Sequence, residues 1–264
     1  MSPARRSHLA VILEVAVATL LLVVLCAPPS SASSKLPADF KRCRADDPDI
    51  SGCLRLAVED AFRKMKNGIA SLGVLPVDPL KVDRIKINQG QGNVNINMDL
   101  RNMTIFGLAA TRMTNYSADI ASGILRTESL TPALRMEFNH VVSGRILLLP
   151  IRGAGPGSIV LNEVVTHHYL KSTPKTKKDG KTYWTLQQYK VKFVPKTISM
   201  DLKGLFGDEG RLGGQLNTFL NQNALTIFEE IGGAFEDAFG AVFKDITNRV
   251  FSKVPLNEIF IQPK

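Results

Sequence analysis

The sequence feature that most constrains the fold is a long apolar run near the end of the chain, from residue 216 to about residue 252. Apolar residues recur there at steps of three and four, which is the spacing of one continuous face on an α-helix. At 1.5 Å per residue such a helix would be about 55 Å long, which exceeds the width of a globular domain of this size. We therefore expect the rest of the chain to wrap around this helix lengthwise.

Three glycines lie inside this apolar run. Gly232, Gly233 and Gly240 each cost about 1 kcal/mol relative to alanine in a helix interior. They indicate a close approach of another backbone, a kink, or a break between two shorter helices. Close approach or a kink is the favoured interpretation.

The beginning of the chain has the pattern of a secretory signal. Arg5 and Arg6 precede an apolar run over residues 15–27, and Ser30, Ser31 and Ala32 provide small residues for cleavage. An uncleaved membrane anchor is disfavoured, because about 13 apolar residues are too few to span a bilayer. The sequence therefore predicts a signal peptide over residues 1–32, one domain over residues 33–264, and secretion to the extracellular space.

Cysteine and asparagine positions agree with secretion. Cys26 lies in the predicted signal, so Cys43 and Cys53 are left to pair in an oxidising compartment, which predicts a disulfide. Asn102 and Asn115 begin glycan acceptor sequences, and glycosylation would place both at the surface. The sequence lacks a set of thiolates or imidazoles spaced for zinc, so neither a metal nor a cofactor is expected.

The middle of the chain changes from helical to strand periodicity. An amphipathic helix is predicted over residues 51–67, with Gly68 as its C-cap. From Val82 onward the hydrophobic period is two, which is typical of half-buried antiparallel strands. Asp179-Gly180 is expected at a hairpin tip. The predicted strand segments are 94–100, 134–138, 146–149, 159–165, 189–193 and 198–202.

This order of elements predicts an α+β fold. A strongly curved antiparallel β-sheet that rolls around the long C-terminal helix would cover the apolar faces of both. The expected architecture is a single domain with the helix inside a sheet sleeve.

No catalytic pattern was found in the sequence, so an enzyme is not expected. Ser158 lacks the flanking glycines of a nucleophile elbow, and the adjacent His167 and His168 should point to opposite faces of a strand. His140 continues an apolar strand face, which favours a hydrogen-bonded core histidine over a catalytic base. The acidic residues Glu229, Glu230, Glu236 and Asp237 are interpreted as the solvated edge of the helix.

The net charge of +9 does not indicate a nucleic-acid partner. Lysines crowd residues 171–181 without interleaved aromatic residues, which is typical of a solvated loop.

The apolar interior allows two interpretations. Phenylalanines on the helix and methionines on the strands are consistent with ordinary core packing, or with the lining of a tunnel for an elongated apolar ligand. The residues that we predict to face such a tunnel are Val94, Ile96, Met98, Met136, Phe138, Met200, Phe228, Ile231, Phe235 and Phe239.

Several motifs, in order, resemble one known family. They are Cys43 with Asp47-Pro48 and Cys53, then Asp78-Pro79-Leu80, then residues 144–150 with Gly153, Gly155 and Gly157, then 202–206, and finally 217–223. In this order they resemble the takeout and juvenile hormone binding proteins of insects, within the tubular lipid-binding superfamily. The resemblance implies a curved sheet around a C-terminal helix, an internal hydrophobic tunnel, secretion, and carriage of a juvenile hormone, a fatty acid or a related terpenoid.

Together these observations favour a secreted, monomeric, non-enzymatic carrier of a small elongated hydrophobic ligand. Two alternatives stay open at this point. One is an extracellular signalling or interaction protein that contacts a receptor and has a residual tunnel. The other is a lipid transfer protein that transiently contacts anionic membranes through its basic loop.

Overall fold

The computed structural model describes residues 35–89, 94–146, 149–206 and 211–262. The predicted signal peptide lies outside this described part. The described residues belong to the compact unit Ser34–Lys264. Among them, no helix is both long and apolar enough to cross a membrane.

The first described segment is fixed to the domain by a disulfide and a short helix. Strand β1 (Cys43–Arg44) is followed by helix α1 (Ile50–Lys64), and the Asp49 side chain caps α1 by accepting a hydrogen bond from the backbone N–H of Gly52. The predicted bond between Cys43 and Cys53 is confirmed. A 3₁₀ turn (Met65–Asn67) extends α1 to Gly68, whose φ of 81° suits the predicted C-cap.

Seven antiparallel strands form the main sheet. Their order is β2-β3-β5-β6-β7, with β4 paired to one part of β5 and β8 paired to one part of β6. The strands are β2 (Leu80–Gln89), β3 (Val94–Phe106), β4 (Arg112–Asp119), β5 (Ile124–Ile146), β6 (Leu149–Thr176), β7 (Thr182–Val194) and β8 (Thr197–Leu202).

Strands β5 and β6 are longer than the sequence predicted. β6 contains 28 residues and would extend about 90 Å if it were straight, so the sheet has to coil. Pro132 of β5 lies between the segment that pairs with β4 and the segment that pairs with β3. In the pairing of β5 with β6, the register continues from Thr131 to Ala133 across Pro132, so the missing N–H of this proline does not end the strand.

Two predicted turns can be compared with the structure. Residues 146–149 were predicted as a strand, but Ile146 ends β5 and pairs with Leu149 at the start of β6, and residues 147–148 lie outside the described part. The β6–β7 hairpin turns at residues 177–181, where Gly180 has a φ of 72° and the N–H of Lys177 donates to the carbonyl of Lys181. The predicted Asp-Gly hairpin tip is confirmed.

The C-terminal apolar run forms two helices instead of one. Helix α2 (Arg211–Gln222) is separated by Asn223 from helix α3 (Ala224–Phe251), which is followed by the single turn α4 (Leu256–Ile259) and strand β9 (Phe260–Ile261). Strand β9 pairs with β1 in parallel.

The three glycines of the apolar run lie inside α3, which continues through them without a break. A Cβ atom at Gly240 would lie 2.7 Å from the backbone oxygen of Tyr189, whereas a Cβ atom at Gly233 would contact nothing within 4 Å. Of these glycines, Gly240 is therefore the one that the close approach of α3 to β7 requires.

The largest core cluster lies between the inner face of the sheet and helices α2 and α3. Polar side chains of α3 also pair with the free edge of β7. A carboxylate oxygen of Glu236 accepts from the N–H of Phe193 at 3.0 Å, and the Asn248 side chain accepts from the N–H of Leu186 at 2.9 Å. Glu236 was predicted at a solvated edge, but it binds strand backbone that would otherwise lack a partner.

Helix α2 pairs with strand β8 through two asparagines. The Asn217 amide both accepts from the N–H of Leu202 and donates to its carbonyl, each at 2.9 Å. Asn221 makes the same pair of bonds to Met200, at 2.8 and 2.7 Å. These contacts hold the helices against the sheet edge at a fixed register.

Candidate functional site

Three cavities lie between the inner face of the sheet and helix α3. The first, of about 210 Å³, is bordered by α1, the sheet and the C-terminal half of α3. The second, of about 90 Å³, adjoins it, and the third, of about 40 Å³, is bordered by β3, β8 and the N-terminal half of α3. Apolar side chains form most of the lining of all three.

The first and second cavities adjoin each other and share part of their lining. Both are bordered by Phe62 of α1, by His168 of β6, by Tyr189 of β7 and by Ile246 of α3. His168 and Tyr189 therefore lie where the two cavities adjoin.

A cluster of aromatic rings separates the second cavity from the third. Phe193 borders the second cavity, Phe235 borders the third, and their ring centroids are 5.7 Å apart. Phe239 packs against both, with centroid distances of 5.6 Å to Phe193 and 4.5 Å to Phe235. We call these three residues the aromatic partition.

The residues predicted to face a tunnel are divided between the third cavity and the packed core. Six of them border the third cavity: Ile96, Met98, Met200, Phe228, Ile231 and Phe235. Four are buried in the core and border none of the three described cavities: Val94, Met136, Phe138 and Phe239. A role of any of the ten as a ligand contact stays a prediction.

Polar groups converge where the first and second cavities meet. The Nε2 atom of His168 lies 3.1 Å from the hydroxyl oxygen of Ser129, and its Nδ1 atom lies 3.2 Å from the hydroxyl oxygen of Tyr189. Burial lowers the pKa of His168 to about 4, with a further contribution from the charge of His167. Burial also raises the pKa of Tyr189, so both side chains are neutral at physiological pH.

A second polar pair lies deeper in the same space. The hydroxyl oxygens of Thr111 and Thr131 are 2.9 Å apart, and both residues border the second cavity. No lysine, arginine, aspartate or glutamate among the described residues borders this cavity. Its polar lining is therefore uncharged.

The other two histidines of the described residues lie outside these three cavities. His140 is 2% exposed and its Nδ1 atom lies 3.0 Å from the carbonyl oxygen of Gly155, in agreement with the predicted hydrogen-bonded core position. Burial lowers the pKa of His140. His167 is exposed and lies 3.5 Å from Glu128, on the face opposite to His168. In the described part of the chain, no group of three or more potential ligands could hold a metal ion.

The residues around the two larger cavities were missed by the sequence analysis. The ten predicted residues are all apolar, whereas Ser129 and His168 interrupt the apolar phase of their strands. One signal was available in the predicted strand 189–193, because Tyr189 shares the inward phase of Val191 and Phe193. The pairing of β5, β6 and β7 brings these polar residues together, and it could not be derived from hydrophobic periodicity.

Comparison with known proteins identifies the family. The model of the family described as haemolymph juvenile hormone binding protein matches residues 19–261. The chain belongs to this family. The family assignment confirms the resemblance found in the sequence motifs.

Two curated relatives and one solved structure illustrate the similarity. The circadian clock-controlled protein daywake of Drosophila melanogaster is 26% identical over 236 residues, which cover 87% of this chain and 90% of daywake. A putative beta-carotene-binding protein of Schistocerca gregaria is 24% identical, covering 82% of this chain and 86% of that protein.

The crystal structure of Takeout 1 from Epiphyas postvittana shares the fold. It superimposes with a TM-score of 0.74 at 24% sequence identity, covering 84% of this chain and 99% of Takeout 1. The predicted α+β architecture, a curved antiparallel sheet with a C-terminal helix, is confirmed.

Proposed function

We propose that this protein is a secreted, non-enzymatic carrier of one small elongated hydrophobic ligand, a juvenile hormone-like terpenoid or a fatty acid derivative. The observation that carries the proposal is the pair of adjoining, mostly apolar cavities, about 210 and 90 Å³, between α1, the sheet and α3. Removing apolar ligand surface from water provides about 25 cal/mol per Å² for binding.

Family membership and the names of relatives support the same class of ligand. The family is named for binding a juvenile hormone, and one relative is named for binding beta-carotene. Both ligand classes are elongated and mostly apolar. Secretion is supported by the N-terminal signal pattern and by the disulfide between Cys43 and Cys53. Asn102 and Asn115 are exposed, as glycosylation requires. Their use as glycan sites stays a prediction.

The proposal is tested by isolating the protein as it is secreted from insect cells. Native mass spectrometry should show an apolar adduct at one molecule per chain, and organic extraction should identify it as a terpenoid, a fatty acid or an ester. A protein that leaves the cells empty, and that takes up neither a fluorescent fatty acid nor a juvenile hormone, would contradict the carrier function.

A matched pair of variants on α1 localises the ligand. Ala61 borders the first cavity, whereas Leu56 on the same helix is 49% exposed. Ala61→Trp should fill the cavity and lower ligand affinity at least tenfold. Leu56→Trp adds a large ring at the surface and should leave affinity unchanged, so an equal loss in both variants would place the ligand elsewhere.

A further inference from the structure

The cluster of Ser129, His168 and Tyr189 has one more hydrogen than its internal contacts use. The three side chains carry three polar hydrogens, because neutral His168 has one N–H and each hydroxyl has one O–H. The two contacts of His168 with Ser129 and Tyr189 use two of them. In either tautomer of His168, one hydroxyl donates to the imidazole and the other accepts from it. The accepting hydroxyl keeps its own hydrogen.

That remaining hydrogen has no acceptor among the described residues. The hydroxyls of Ser129 and Tyr189 make no hydrogen bond there other than the bond to His168. Both residues border the second cavity, and Tyr189 also borders the first. A buried donor without a partner costs free energy, and a ligand oxygen in the cavity would remove that cost.

The charged groups around the cavities determine whether an ionised or an uncharged ligand oxygen fits. An ionised carboxylate that leaves water needs a cationic partner, and burying it unpaired costs several kcal/mol. Around the first and second cavities the described lining includes one cation, Lys41, which is exposed at the surface. An ester, ketone or ether oxygen needs one donor and no counter-charge.

We propose that Ser129, His168 and Tyr189 form the polar subsite of the carrier, and that they donate one hydrogen bond to an uncharged acceptor oxygen, such as an ester carbonyl, within an elongated apolar ligand. This inference rests on the proposed carrier function. It adds a preference for ligands with an uncharged acceptor oxygen, which a purely apolar tunnel would not have. The ligand lies with its oxygen where the first and second cavities meet, and with its hydrocarbon on both sides.

The first test compares three ligands of matched length on the wild-type protein at pH 7.5. Displacement of a bound fluorescent apolar probe is measured with methyl hexadecanoate, hexadecanoate and octadecane. We expect the ester to bind roughly tenfold more tightly than the alkane, and also more tightly than the ionised acid. If the alkane or the acid binds as tightly as the ester, the polar subsite is refuted while the carrier function stands. If none of the three displaces the probe, the polar subsite is refuted, and if the protein does not take up the probe either, the carrier function fails as well.

The second test uses variants that remove donors without changing shape greatly. The triple variant Ser129→Ala, His168→Phe, Tyr189→Phe removes all three donors and should bind the ester and the alkane equally. The control variant Thr111→Val, Thr131→Val removes the neighbouring hydroxyl pair and should keep the preference for the ester. Loss of the preference in the control alone would assign the subsite to the threonines and overturn our assignment.

A spectroscopic measurement on the wild-type protein does not depend on whether the triple variant folds. Methyl hexadecanoate labelled with ¹³C at its carbonyl is bound to the protein, and its infrared carbonyl stretch is recorded. A hydrogen bond from the cluster lowers the stretching frequency relative to the ester in an alkane solvent. An unshifted band in the bound state would show that the carbonyl has no donor, and would refute the subsite.

Discussion

His168 lies on the inner face of β6, on the same side of the strand as Thr166 and Leu170. Its ring borders the second cavity. Hydroxyl groups from the two neighbouring strands, Ser129 on β5 and Tyr189 on β7, hold both of its ring nitrogens. The imidazole is therefore neutral and oriented, and its ring is half-buried at the edge of the cavities. At the scale of single residues, two groups of polar side chains at the cavities, Ser129 with His168 and Tyr189, and Thr111 with Thr131, pair with one another.

Acidification should destabilise the protein through this residue. The pKa of His168 is about 4 in the folded state and about 6.5 when unfolded, so its contribution to stability is complete above pH 6.5 and is lost as the pH falls towards 4. Chemical denaturation between pH 7.5 and pH 4.5 should show a falling free energy of unfolding. His140, whose pKa is also lowered, contributes in the same direction.

A pair of histidine variants separates His168 from other titrating groups. His168→Gln keeps hydrogen-bonding capacity without titrating, and should flatten the dependence on pH between 6.5 and 4.5. The exposed neighbour variant His167→Gln should leave most of the dependence in place. An equal dependence in wild type and His168→Gln would show that this imidazole does not stay neutral in the folded protein.

At the scale of elements, α3 approaches β7 closely enough to exclude a side chain at one position. The backbone oxygen of Tyr189 would lie 2.7 Å from a Cβ atom on Gly240. Because this oxygen belongs to a strand that is paired along its length with β6, it cannot move independently. The same contact places Tyr189 beside the cavities.

Two glycine-to-alanine substitutions in α3 should have opposite effects. Gly233→Ala has free space around its new methyl group and should stabilise the protein by about 0.5–1 kcal/mol through helix propensity. Gly240→Ala should destabilise it by about 1–3 kcal/mol, because the helix has to move away from β7. Urea denaturation measures both, and stabilisation by both variants would show that the close approach is not required.

Hydrophobic periodicity predicted the strands and the apolar helical run. It did not predict the break in that helical run or the polar residues on the inner face of the sheet. Alternation along 94–100 and 134–138 marked the inner face of the sheet correctly. The break between α2 and α3 at Asn223 was missed, because apolar spacing continues across it and the Asn217 and Asn221 contacts that fix α2 against β8 are tertiary. The polar cluster was missed for the same reason, since strand pairing assembles it from distant residues.

At the scale of the whole molecule, the aromatic partition divides the interior space into two compartments. Phe193 comes from the sheet, and Phe235 and Phe239 come from α3, so the partition also fastens the helix to β7. We expect these rings to limit the length of a ligand bound in the first two cavities.

Removal of one ring should open the partition. Phe235→Ala should cost about 3–5 kcal/mol of stability and should allow the protein to bind longer chains by joining the second and third cavities. Phe243→Ala, on the same helix, enlarges the second cavity without opening the partition, and should leave the longest accepted chain unchanged. A homologous series of methyl esters, compared by probe displacement, measures the length limit. An unchanged limit in Phe235→Ala would mean that the partition does not set it.

The position of the helices at the end of the chain has a consequence for synthesis. The chain emerges from the ribosome with its N-terminus first, so every strand from β2 to β8 emerges before α3 and β9. Helix α3 packs against the inner face of the sheet, and β9 pairs with β1. Until then the inner face of the sheet is an apolar surface without its partner. Closure of the core therefore waits for α3 and β9, and the sheet synthesised before them exposes its apolar face during that interval.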